Sequence, residues 1–150
     1  MLPFNKSPSR NRTALISAIL LTPLLWGCGK QKQPWETVYP AKGVVTYKGQ
    51  PIVDAEIALF PADDSMPESI RPKARSSETG EFVVWTNQVG DGAPAGTYKA
   101  TVVHHAVKFV KQVAVTMPND LPKKYATVQT TDLLVEIGEG ATEIPPLELK

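Results

Sequence analysis

Residues 43–61 read GVVTYKGQPIVDAEIALFP, and the spacing of their apolar side chains decides the fold class. The run GVVTYKG predicts a strand entering a turn at Lys48, Gly49 and Gln50. In AEIALFP the alternation is strict: Ala55, Ile57 and Leu59 share one side, Glu56 and Ala58 the other. A period of two is what a strand with one buried face requires, because successive side chains point to opposite faces of a sheet. Pro51 and Pro61 bracket the second strand, where a missing N–H does least harm to a ladder.

The same period continues outward. Lys73 to Thr86, KARSSETGEFVVWT, predicts a hairpin with Gly80 at a position of positive φ. Phe82 and Val84 alternate with Val83 and Trp85, so this strand is expected to be covered on both faces. TYKATVVHH sets Tyr98, Ala100 and Val102 against Lys99 and Thr101. TDLLVEI sets Leu133, Val135 and Ile137 against Asp132 and Glu136, and PLELK ends the chain with Leu147 and Leu149 inward. Residues 107–116 predict a strand or an extended connection, and LPKKYA a single helical turn. With fourteen prolines, ten glycines and no long helical pattern, the expectation is an all-β, antiparallel sandwich of about seven short strands.

These motifs resemble the carboxypeptidase regulatory-like domain, a transthyretin-type (prealbumin-like, Ig-like) seven-stranded sandwich. The matching residues are Pro51, Ile52, Ala55 and Ile57, then Gly80 and Phe82, then Gly96 and Tyr98. Bacterial lipoproteins that carry a lone domain of this type also resemble the remainder of the chain. The resemblance covers most of residues 42–150. It implies a fold and no catalytic centre, since its motifs specify turns and core positions.

The N-terminus is of another kind. Lys6, Arg10 and Arg12 precede TALISAILLTPLLW (13–26), an apolar run suited to a signal peptide and short for a membrane span. The sole cysteine, Cys28, follows Gly27, and LWGC resembles a lipobox with Leu25 at its first place. Trp26 stands where a small residue is commoner. The resemblance implies cleavage between Gly27 and Cys28, a diacylglyceryl group on the Cys28 thiol, and acylation of the new amine, palmitate included. Several acyl chains make a firm anchor at about 0.8 kcal/mol per buried methylene. The expected organisation is a signal peptide at 1–27, a lipidated tether at 28–41 and the sandwich domain at 42–150. Gly29 is not the aspartate that resembles an inner-membrane retention signal, which points to the outer membrane, facing the periplasm or the cell surface. Trp35, in the tether, would lie near the membrane surface.

Chemistry is sparse. The chain carries 16 basic and 15 acidic side chains; loss of residues 1–27 leaves thirteen against fifteen, a net −2. No concentrated basic face exists for nucleic acid. One cysteine excludes an internal disulfide and a thiolate zinc site. His104 and His105 are adjacent, so on a strand they point to opposite faces and do not chelate one metal together. Asp63, Asp64 and Glu68 lack the alternating pattern of a calcium loop. GDGAPAG lacks the Gly-Lys-Ser/Thr ending of a phosphate loop, and no serine sits in a nucleophile elbow. The C-terminus lacks the tail of transthyretin-like hydrolases, and adjacent histidines do not fit the iron site of intradiol dioxygenases. No cofactor is called for.

The expectation is a membrane-anchored envelope lipoprotein, held by lipid at Cys28. Its non-catalytic sandwich would bind another envelope protein or a glycan through a strand edge or through the loops 61–71 and 87–96. The alternatives are a carbohydrate-binding module, which predicts an exposed platform of Trp85 and tyrosines, and a metal-dependent envelope enzyme, which predicts His104 or His105 converging with carboxylates.

Overall fold

The structure, a computed structural model, describes residues 33–150. Among the described residues nine of eleven strands build a β-sandwich. The first sheet is organised on β1 (Ala41–Tyr47). The first half of β1 pairs with β5 (Glu81–Val83) and β10 (Thr142–Glu143), the second half with β2 (Gln50–Pro51) and β11 (Leu147–Leu149). The second sheet runs β4 (Lys73–Arg75), β3 (Glu56–Pro61), β6 (Gly96–Val103), β9 (Leu134–Ile137), all antiparallel. Two further strands, β7 (Val107–Val110) and β8 (Val113–Thr116), pair only with each other.

The all-β sandwich is as expected, but two features depart from seven antiparallel strands. The C-terminal strand is broken at Pro145 and Pro146 into β10 and β11, since neither proline can donate to a ladder. Both pieces run parallel to β1. The Lys73–Thr86 hairpin forms only through isolated bridges, Lys73 to Trp85 and Ser76 to Phe82, because its two arms enter different sheets.

Alternation places the core. Ile57, Leu59, Tyr98, Ala100, Val102, Val135 and Ile137 face Val45, Phe82, Leu147 and Leu149 in one buried cluster. The strand at Phe82 is covered on one face only. Val84 is buried, whereas Val83 is 51% exposed, because no layer lies outside this sheet at that point. Lys48 and Gly49 both take positive φ (51° and 78°), giving the two-residue turn that matches the twist of β1 and β2. Gly80 also has positive φ (77°), and a Cβ there would lie 2.6 Å from the Val45 carbonyl oxygen.

Residues 31–150 form a compact unit with a core of their own, as an independently folding domain requires. Part of the expected tether belongs to it. Trp35, in a 3-10 turn at Pro34–Glu36, packs against the core, and Tyr39 bridges to Ala93.

Buried Ser76 holds the β2–β3 connection. Its hydroxyl donates to the Ile52 carbonyl (2.6 Å) and accepts from the Ala55 N–H (2.8 Å). This supports the turn at Asp54, a non-glycine at φ 56°. Ser76→Ala would strand both backbone groups, and we expect a loss of about 1–3 kcal/mol, read as a lowered midpoint in urea with an unchanged slope.

Candidate functional site

Of the two loops expected to recognise a partner, 61–71 lines a cleft and 87–96 supports it. The cleft has a volume of about 440 Å³ and runs from the end of β3 across to Val128 and Gln129. Its charged groups are Asp63, Asp64, Glu68 and Arg71, with Gln129 beside them. Asp63 and Arg71 are placed by local contacts. The Asp63 carboxylate accepts the Ser65 N–H (2.9 Å), closing a short Asx turn. Hydrogen bonds from the Ser65 side chain and backbone hold Asp63 below the usual carboxylate range. Arg71 donates from Nε to the Glu68 carbonyl (3.0 Å), and its guanidinium lies 4.9 Å from the Phe60 ring centroid. The wall therefore offers carboxylate acceptors, a fixed guanidinium donor and an aromatic surface.

One hydroxyl ties the two loops together. Tyr98, fully buried on β6, donates to the Pro94 carbonyl (2.8 Å) and contacts the Met66 sulfur (3.3 Å). Met66 descends from the cleft loop into the core, and Pro94 belongs to the second loop. Burial pushes the Tyr98 phenol well above its usual range, so it stays protonated and able to donate. The Ala62 N–H to Thr97 carbonyl bond (2.9 Å) seats the start of the cleft loop on β6. A Cβ on Gly96 would come 2.7 Å from the Met66 methyl, so glycine at that place leaves room for Met66.

The second loop is closed by its own aspartate. Asp91 accepts backbone N–H groups from Thr86 (2.7 Å), Asn87 and Gln88 (both 3.0 Å), and the Thr86 hydroxyl donates to the Gly92 carbonyl (2.7 Å). Gly92 has φ 91°, and a Cβ would collide with the Tyr39 carbonyl. Loop 87–96 is thus internally locked, with its tip at residues 87–90 exposed to solvent.

The other candidate residues lie apart. His104 and His105 follow the end of β6 instead of lying within it. His104 Nδ1 meets Asp120 (2.8 Å), while His105 Nδ1 meets the Met117 carbonyl (3.1 Å). Among the described residues no group of three His, Cys, Asp or Glu side chains converges as metal ligands would. Trp85 is half-buried against the core with Lys73 above its ring, Tyr98 and Tyr125 are buried, and Tyr47 packs on the core. They form no shared aromatic platform. Gly27 and Cys28, the expected cleavage and lipid-attachment residues, lie outside the described residues. Among the described residues no helix is long and apolar enough to cross a membrane.

Sequence reasoning missed the polar pins Ser76, Tyr98 and Asn119. Asn119 Oδ1 accepts from the His104 (3.0 Å) and Leu121 (3.2 Å) N–H groups. The Asn119-Asp120 pair beside a proline was the available turn signal.

Asp91 supplies a test of the support. Its partial burial disfavours the charge, but the N–H groups of Thr86, Gln88 and Asn87 outweigh this and lower its pKa. A lowered folded pKa contributes stability above the unfolded value and loses it as pH falls through the folded one. Asp91→Ala should cost about 1–2 kcal/mol at neutral pH. Thermal melts of the two proteins should converge only as pH falls below the ordinary carboxylate range and through the lowered folded value, where Asp91 loses its charge.

No family model and no curated protein matches the chain. Among solved structures it is similar to a 9R-lipoxygenase from Cyanothece at 15% identity and a TM-score of 0.40, covering 76% of this chain and 17% of that one. It is also similar to a Pseudomonas aeruginosa protein described as a "putative carbohydrate binding protein", at 14% identity and a TM-score of 0.41, covering 79% of this chain and 92% of that one.

Proposed function

We propose that this chain is a lipid-anchored protein of the bacterial cell envelope, whose sandwich, of the carboxypeptidase regulatory-like kind, is a non-catalytic binding module. Cys28 carries the lipid, and the outer membrane is the host surface. The cleft at loop 61–71 is the observation that supports recognition there. Its ligand class follows from its wall: carboxylates at Asp63 and Asp64 accept from hydroxyls, the Arg71 guanidinium donates in a plane, and the Phe60 ring gives an apolar face. A hydroxyl-rich glycan of the envelope satisfies all three.

Two measurements separate anchor from ligand. The N-terminal peptide of protein expressed in a bacterial host should begin at Cys28 and carry acyl mass, and a Cys28→Ala variant should lack it. A native chain retaining an unmodified N-terminus would overturn the anchor. In titration with soluble envelope glycan fragments, Arg71→Ala should weaken binding at least about tenfold, the loss of one charge-assisted hydrogen bond, with an unchanged melting temperature. Absence of binding by the unaltered protein would overturn the glycan assignment.

A further inference from the structure

The β7–β8 hairpin stands outside everything described so far. All eight of its residues are exposed, and no strand of the sandwich pairs with it. Its register puts Val107, Phe109, Ala114 and Thr116 on one face and Lys108, Val110, Val113 and Val115 on the other. Phe109 is 77% exposed and Val113 62%. Both faces are thus apolar, and both meet solvent.

A two-stranded hairpin of this kind is marginal in water, yet this one is held at its base. At its base the Met117 N–H donates to the Ala106 carbonyl (2.8 Å), and Asn119 and Asp120 fasten His104. At its tip Lys111 and Gln112 both take positive φ (49° and 69°), a conformation unfavourable for residues other than glycine or asparagine. The fold therefore presents a braced apolar element.

We infer that the β7–β8 hairpin is a membrane-docking element, seated at the headgroup level of an anionic lipid surface. Charge complementarity selects that occupant. Between Ala106 and Pro118 the only charged residues are Lys108 and Lys111, so this element is cationic on a domain that carries an excess of acid. A lipid surface attracts the hairpin and repels the remainder, which fixes orientation. A protein groove or an added strand covers one face or one edge, whereas a fluid interface wets both faces. The unpaired backbone at the outer edges of β7 and β8 keeps the hairpin at the interface, where water and headgroups satisfy it. The inference deepens the proposed membrane attachment without requiring acylation.

The fragment 31–150, which has its own core and no Cys28, tests it independently of the anchor. In co-sedimentation it should bind vesicles of phosphatidylcholine with phosphatidylglycerol, and bind pure phosphatidylcholine about tenfold less. Lys108→Glu with Lys111→Glu, and separately Phe109→Ser with Val113→Ser, should each lower binding at least about tenfold, with melting temperatures unchanged. Phe109→Trp should show a blue-shifted emission on anionic vesicles. No binding to either vesicle, binding indifferent to these substitutions, or a concentration-dependent dimer abolished by Phe109→Ser would overturn the proposal. Acylation of Cys28 could fail while the fragment still binds, and the reverse, so the two readings fall separately.

Discussion

Backbone pairing along β1 is the constraint on which the structure depends. Seven residues serve four partner strands, two on each half. A strand buried among others must satisfy every N–H and C=O, and β1 does so by recruiting the start, the middle and the end of the domain. The ring of Phe82 lies over Gly43 at the β1–β5 register, where a Cβ would come 2.7 Å from it. Phe82 fills the space that the glycine leaves, so the weakest strand former in β1 becomes a site of close sheet packing.

A small set of polar groups then fixes the connections that strand pairing leaves loose. Ser76 closes β2 onto β3, Asp91 closes the loop before β6, Tyr98 joins two loops, and the Tyr125 hydroxyl accepts the Lys150 N–H at 3.1 Å. Each is an otherwise unpaired backbone group given a partner. Leaving such a group unsatisfied costs more than the bond is worth when made. These pins also give the cleft its shape, since Met66 and Pro94 meet through Tyr98.

Recognition is divided between two kinds of surface. The cleft is polar, held on β3 and β6, and set by hydrogen bonds. The β7–β8 hairpin is apolar and cationic, and is braced only at its base. Rigid strands carry the first and a projecting ribbon the second, so a ligand in the cleft and a surface against the hairpin need not compete for the same residues.

Much of this was legible before any coordinates. Alternation in AEIALFP, TYKATVV and TDLLVEI set which side chains face inward, because a period of two is a property of the strand itself. The Lys48-Gly49 turn and the glycine at Gly80 were legible for the same local reason. The turn at Lys111-Gln112 was not, since neither residue favours positive φ. The parallel pairing of β10 and β11 with β1, the one-sided covering of Val83 and the seating of Trp35 were also invisible. Each depends on which distant segment lies alongside, and a sequence pattern carries the preference of a residue for burial but not the identity of what buries it. The sequence by itself determined the fold class and most of the inward-facing positions of the sandwich strands. Tertiary structure alone decided strand partners, the cleft and the exposed hairpin, because those arise from contacts between residues far apart in the chain.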